Sequence, residues 1–154
     1  MQFDFYPLRF QFTAKESLFF PPGKASNILR GALGVIFRRI ACVPHCGDAK
    51  TCDIRQSCPY ARIFEPGATP TRTDDALPSP SGLADWPRPF VFRARHLDGR
   101  MVNAGEPFHF DLHLFTSERD MLAYFILTFA ALAREGLGPR RGKAELLRVC
   151  RLSA

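Results

Sequence analysis

Apolar and polar side chains alternate near the start of the chain. Phe3 and Phe5, then Leu8, Phe10 and Phe12, are separated by Gln2, Asp4, Arg9 and Gln11. A period of two predicts a strand with one buried face. The parity slips at Tyr6-Pro7, which predicts a bulge or an edge position there, because proline cannot donate to a sheet ladder. Pro21-Pro22-Gly23 closes the segment.

The period then changes. Ser26 is a good N-cap residue, and Ile28, Leu29, Ala32, Leu33, Ile36, Phe37 and Ile40 follow at helical spacing as one apolar stripe. Gly31 and Gly34 fall inside this helix, where each costs about 1 kcal/mol relative to alanine. A close neighbour is therefore expected against them, either a strand or an RNA backbone.

A period of two returns at Phe90, Phe92 and Ala94, with Val91, Arg93 and Arg95 between them. Leu97-Asp98-Gly99-Arg100 predicts a hairpin turn, since Asp-Gly favours the primed types. The returning strand carries Phe108, Phe110, Leu112 and Leu114 on one side and His109, Asp111 and His113 on the other. Ser117-Glu118-Arg119-Asp120 resembles a capping box. Met121, Leu122, Phe125, Ile126, Phe129 and Ala133 form a second helical stripe, and Gly136 supplies its C-terminal cap. Leu146, Leu147, Val149 and Leu152 make the last strand, with Cys150 among them as a core residue. The order strand, helix, strand, strand, helix, strand predicts an α+β, ferredoxin-like βαββαβ fold.

A chain of 154 residues accommodates one such domain with a proper core. The cysteine- and proline-rich stretch over 42–89 reads as an insertion after the first helix. Its part from Glu65 to Pro89, long and irregular, is expected to be mobile. The N-terminus carries an acid where a signal peptide has cations. No run approaches the roughly 18 apolar residues of a membrane span. The expectation is a cytoplasmic chain without a membrane partner. Lysine and arginine number 21 against 15 acids, a net charge of +6, which favours an anionic partner such as nucleic acid.

Gly136-Leu137-Gly138-Pro139-Arg140-Arg141-Gly142-Lys143 places three glycines and three cations in eight residues. Glycine allows positive φ and close approach to another molecule. Arginine and lysine supply charge for a phosphate. Such a turn predicts a clamp on a nucleic-acid backbone.

Cys42, Cys46, Cys52 and Cys58 lie close enough in sequence to converge on one structural Zn²⁺, with His45 as a substitute ligand. The pair two residues apart that is usual in zinc knuckles is absent, so a zinc centre and metal-free thiols both remain open. There is no paired-histidine helix motif, Gly-x-Ser-x-Gly elbow or Walker loop. His109 and His113 share a sheet face and read as an exposed polar surface. His45 follows the first helix. Histidine can act as base or acid near neutral pH, as self-cleavage of RNA through its 2′-hydroxyl requires. A surface or zinc-ligating histidine is the competing reading.

Pro21-Pro22-Gly23-Lys24-Ala25-Ser26, followed by Leu29-Arg30-Gly31-Ala32-Leu33-Gly34, resembles the start of the RAMP superfamily of CRISPR-associated RNA-binding proteins. Cys58-Pro59-Tyr60-Ala61-Arg62-Ile63-Phe64-Glu65-Pro66 is similar to a narrower group within it, the precursor-crRNA-processing endoribonucleases. So is Gly136-Leu137-Gly138 with Arg140-Arg141-Gly142. The resemblance covers essentially all of the chain. It implies two ferredoxin-like domains, of which this sequence matches the N-terminal half, with repeat RNA held by the glycine-rich loop and a basic face. Gly136, Gly138, Arg140, Arg141, Gly142, Lys143, Arg30 and Arg39 are the residues implied. It also implies metal-independent cleavage leaving a 2′,3′-cyclic phosphate or 3′-phosphate, with a histidine near the end of the first helix, where His45 fits. CRISPR repeat RNA, a second RAMP domain and other CRISPR-associated proteins are the implied partners, in antiviral defence. Two rival readings stand beside this one: a non-catalytic RAMP subunit that holds guide RNA in an effector complex, and a zinc-stabilised protein-interaction module.

Overall fold

The computed structural model describes residues 4–42, 47–49, 51–66, 87–116 and 119–153. Strand β1 (Asp4–Ala14) and strand β5 (Pro107–Thr116) pair antiparallel from Asp4 opposite Thr116 to Thr13 opposite Pro107. Their alternation puts Leu8, Phe10, Phe12, Phe108, Phe110, Leu112 and Leu114 on one side, all buried. Strand β3 (Phe90–Arg93) flanks β5, and strand β6 (Ala144–Arg151) flanks β1. The sheet order β3-β5-β1-β6 is antiparallel throughout. Helix α1 (Ala25–Ala41) lies between β1 and β3 in the chain, and helix α3 (Met121–Glu135) between β5 and β6. This is the ferredoxin-like βαββαβ arrangement.

The core is built from phenylalanines at matched registers. Phe10 stacks on Phe110 at 5.5 Å and Phe12 on Phe108 at 5.1 Å. From α3, Phe129 caps Phe10 and Phe110 at 4.9 and 4.8 Å. Phe37 of α1 meets Phe125 of α3 at 5.5 Å. Truncating any one of these buried rings to alanine costs about 3–5 kcal/mol. No helix among the described residues is long and apolar enough to cross a membrane.

Several local expectations are corrected. Strand β1 runs through Pro7 without a break and is central rather than an edge; the Pro7 carbonyl still accepts from the Leu152 N–H at 2.8 Å. The bulge lies instead between Gln11 and Phe12 opposite β6, where Leu147 is the extra residue. Because the strand is unbroken, Phe5 falls on the face opposite Leu8 and Phe10, and it is exposed. Cys150 pairs with Arg9 and is half-buried, not a core residue.

Asp98-Gly99 is not a hairpin turn. The connection from β3 to β5 contains a 3₁₀ turn (Arg95–Leu97) and strand β4 (Met101–Val102), which pairs with strand β2 (Leu18–Phe19). Helix α3 starts at Met121 after Asp120, with no side-chain cap, and Ser117 and Glu118 lie outside the described residues. Within the expected insertion, helix α2 (Pro59–Phe64) buries Ile63 and Phe64 in the main core. Most of the proline-rich stretch, 67–86, lies outside the described residues.

Candidate nucleic-acid interface

The glycine-rich loop leaves α3 at Gly136, whose φ is +118°. Leu137 buries its side chain and exchanges two backbone hydrogen bonds with Gly142, at 2.8 and 3.1 Å. A Cβ on Gly136 would sit 2.3 Å from the Arg141 carbonyl oxygen. One on Gly138 would sit 2.7 Å from the Phe19 carbonyl oxygen, and one on Gly142 2.3 Å from that of Ser17. Glycine is therefore required by contacts within the protein, where the loop closes on itself and against the turn between β1 and β2. What faces outward is charge. Arg140, Arg141 and Lys143 are all exposed. Arg141 adopts φ +51°, and Arg140 sits 5.9 Å over the Phe19 ring. The Lys143 N–H donates to the Glu16 carboxylate at 3.0 Å, which fixes the loop's far end.

A second basic surface lies along α1. Arg30 lines two adjoining cavities of 290 and 440 Å³, which it shares with Asn27 and Arg88. The larger also takes Gly31, Arg38, Tyr60 and Phe64. The Arg38 guanidinium lies 5.7 Å from the Tyr60 ring centroid, and that of Arg88 5.9 Å from Phe64. The Arg88 Nε–H donates to the Phe64 carbonyl at 2.8 Å. Tyr60 and Phe64 stack at 5.1 Å. Burial, followed by the Glu65 charge, pushes the Tyr60 hydroxyl up, so it stays a proton donor at neutral pH.

Among the described residues, the neighbour found for the α1 glycines is not a strand but, at Gly34, a side chain of α2. A Cβ on Gly34 would rest 3.5 Å from the Phe64 ring, and one on Gly31 would meet nothing within 4 Å. Arg39 is ion-paired with Glu135. It lies nine residues from Arg30, on the opposite side of the helix at about 100° per residue. The structure thus separates the two arginines proposed from the sequence and joins Arg30 to Arg38 and Arg88 instead. A signal for Arg38 was present, since Arg30, Gly31, Gly34 and Arg38 fall within an arc of about 100°. No local signal pointed to Arg88.

His45 and Cys46 lie outside the described residues. Cys58 is buried beside Ala49 and Ala61, and Cys42 and Cys52 are half-buried. Among the described residues no three His, Cys, Asp or Glu side chains are grouped so as to hold a metal ion.

The side of the sheet away from the helices carries the remaining histidines. Arg9 and Asp111 face each other across β1 and β5 in a two-pronged ion pair at 2.7 and 3.0 Å. Burial alone would raise the Asp111 carboxyl, but the Arg9 hydrogen bond and charge outweigh it and hold the carboxyl below its usual value. The His96 ring stacks on His109 at 4.5 Å, and its Nε2–H donates to the His109 carbonyl at 2.8 Å. Burial, with the Arg9 charge and His96 adding to it, lowers the His109 imidazole.

A family model matches the sequence, and the fold recurs in solved structures. A family model described as AF_1859_N, N-terminal domain, matches residues 3–154. No curated protein matches the chain. Among solved structures, a chain of a type IV-B CRISPR complex has a TM-score of 0.52 at 15% identity, over 96% of this chain and 90% of that one. A chain of the type III-B Cmr-beta complex bound to cognate target RNA has a TM-score of 0.52 at 12% identity. That match spans 96% of this chain but only 61% of the Cmr-beta chain. A chain of a Csm3-Csm4 subcomplex from the type III-A interference complex has a TM-score of 0.48 at 15% identity, covering 96% and 75%.

Proposed function

We propose that this chain, which belongs to the AF_1859_N family of N-terminal domains, is an RNA-binding RAMP-type subunit of a CRISPR ribonucleoprotein. The observation that carries the reading is the loop of Gly136, Gly138 and Gly142, held against Ser17 and Phe19 so that Arg140, Arg141 and Lys143 project from a fixed backbone. Preset cations engage phosphates without losing much backbone entropy on binding. The fold shared with subunits of type III-B and type IV-B CRISPR complexes supports the reading, as does the RNA in the type III-B assembly. RNA and other CRISPR subunits are then its partners.

The experiment is a salt titration of binding to a CRISPR repeat RNA. Affinity falls with rising salt, because each neutralised phosphate releases counterions and adds about 0.7 to the slope on single strands. Arg140→Ala, Arg141→Ala and Lys143→Ala together flatten that slope. Salt-independent binding, or none, removes the reading. The resemblance in sequence extends the proposal to metal-independent cleavage of precursor RNA, with His45 as acid or base. Cleavage of a repeat hairpin in EDTA, abolished in His45→Ala, tests this extension separately from binding.

A further inference from the structure

Both long helices pack on one side of the sheet, and the opposite side is left with rings and cations. On its two central strands Phe5 and Phe115 stand directly opposite each other, with rings stacked at 5.2 Å. His113 meets Phe5 edge-on, also at 5.2 Å. Phe5 is 42% exposed and Phe115 40%, and Val91 on the adjoining strand is 51% exposed. Rings held this far in water forgo much of the stabilisation that burial gives, and grouped apolar exposure marks a contact surface. Beside the rings lies a 300 Å³ concavity lined by Phe5, Pro7, Arg151, Leu152 and Ser153.

The charges around this surface are unequal. Arg93 and Arg148 share the face by register, opposite Asp111 and Gln11 respectively, and both are exposed. Arg151, opposite Leu8 by register and with its guanidinium 5.5 Å from the Tyr6 ring centroid, reaches round the strand end to the Phe5 carbonyl at 3.4 Å and so borders the concavity from the sheet's rim. The acids of the same face are already matched, Asp111 by Arg9 and Glu145 by Lys15. A partner must therefore bring both negative charge and flat apolar groups. Unpaired RNA has phosphates and exposed base faces, whereas a duplex hides those faces in its stack.

We propose that this open sheet face stacks the bases of single-stranded RNA, one base entering the Phe5–Pro7 concavity while Arg151, Arg148 and Arg93 meet the flanking phosphates. The proposal rests on the RNA-binding reading above and adds to it the face used and the unpaired form of the RNA. The loop of Arg140, Arg141 and Lys143 then supplies a sequence-blind electrostatic hold, and the sheet supplies stacking.

The test compares three forms of the full chain binding a labelled oligouridylate of about ten nucleotides, at about 50 and 200 mM salt. Phe5→Leu with Phe115→Leu keeps an apolar surface but removes the π faces. This pair is expected to keep its melting temperature and salt slope and to lose about tenfold in affinity per ring, within the range for base–aromatic stacking. Phe5→Trp with Phe115→Trp should retain binding. The loop triple variant should instead flatten the salt slope. Wild-type binding with a loop effect, but with an unchanged Leu pair, overturns the sheet proposal and leaves RNA binding standing. No binding by the wild type removes both. A wild-type dimer in light scattering that the Leu pair dissociates, with RNA affinity unchanged, assigns the face to a protein contact instead. If the Leu pair unfolds, ultraviolet crosslinking of the wild type decides: adducts on the peptides holding Phe5 or Phe115 support the proposal, and adducts confined to 136–143 overturn it.

Discussion

The Asp98 carboxylate accepts a hydrogen bond from the Ala25 backbone N–H at 2.9 Å, so the first turn of α1 is capped from 73 residues away. Helix N-termini leave orphan N–H groups, and a carboxylate there satisfies one while complementing the helix dipole. Asp98 also begins the segment whose Gly99 N–H donates to the Phe20 carbonyl at 2.7 Å. The same contact thus ties α1 to the turn after β3. Asp98→Ala is expected to lower stability by about 1 kcal/mol, within the usual range for removing a cap. Asp98→Asn, which keeps an acceptor, should recover most of it. Chemical denaturation of both variants checks this, and equal losses would show that charge rather than the hydrogen bond carries the effect.

Asp98 also illustrates what could be read from the sequence. The buried alternations of Leu8 to Ala14 and Phe108 to Leu114 were legible because each strand hides one complete face, which a period of two records directly. The cap of α1 was not, because Ser26 satisfies the local rule while the actual acceptor arrives through tertiary structure. Phe5 departs from its expected face for a related reason: β1 continues through Pro7, so an apolar residue three positions before Leu8 lands on the other face. In the candidate site, the exposed cations of the loop could be found from composition. The purpose of its glycines could not, since Ser17 and Phe19 lie more than a hundred residues earlier.

Alanine at two glycines should act in opposite directions. At Gly142 a methyl group would collide with the Ser17 carbonyl oxygen at 2.3 Å and with a Leu18 methyl at 2.7 Å. Gly142→Ala is expected to destabilise the protein and displace the loop cations together. At Gly31 an added Cβ would meet nothing within 4 Å among the described residues beyond its own helix, and the backbone is helical, so Gly31→Ala should stabilise by about 1 kcal/mol through helix propensity. Thermal melts of both variants provide the comparison. A stabilised Gly142→Ala would show that the loop is not packed against the β1–β2 turn.

Acid should weaken the sheet face in two steps. His109 has a lowered pKa in the folded state, so below the ordinary value of 6.5 the unfolded chain takes up its proton first. Its contribution is complete above that value and is lost as the pH falls through the folded pKa. Asp111 is also lowered, so its contribution is present above 3.8 and disappears only as the pH falls through its own folded value. Urea midpoints should therefore drop as the pH falls below 6.5 in the wild type, and less so in His109→Gln. An identical drop in the variant would place the acid sensitivity elsewhere.

Arg30 and Arg39, both on α1, are expected to differ in their effect on RNA affinity. Arg39 has its charge matched by Glu135, and an exposed pair of this kind is worth at most about 1 kcal/mol to stability. Arg30 stands where two cavities meet, with Arg88 and Arg38 converging on the same groove. Phosphate attraction sums over neighbouring cations, so the groove presents a stronger field than a neutralised pair at the same distance. Arg30→Ala should weaken binding of repeat RNA several-fold at low salt. Arg30→Ala with Arg88→Ala should also reduce the slope against log salt, by about 0.7 for each phosphate that is no longer neutralised. Arg39→Ala should leave both quantities close to wild type. Glu135→Gln sharpens the contrast, because releasing Arg39 from its partner should raise affinity if RNA passes that side of the helix. If Arg39→Ala weakens binding as much as Arg30→Ala, the RNA path runs over the opposite face of α1 and not along the groove.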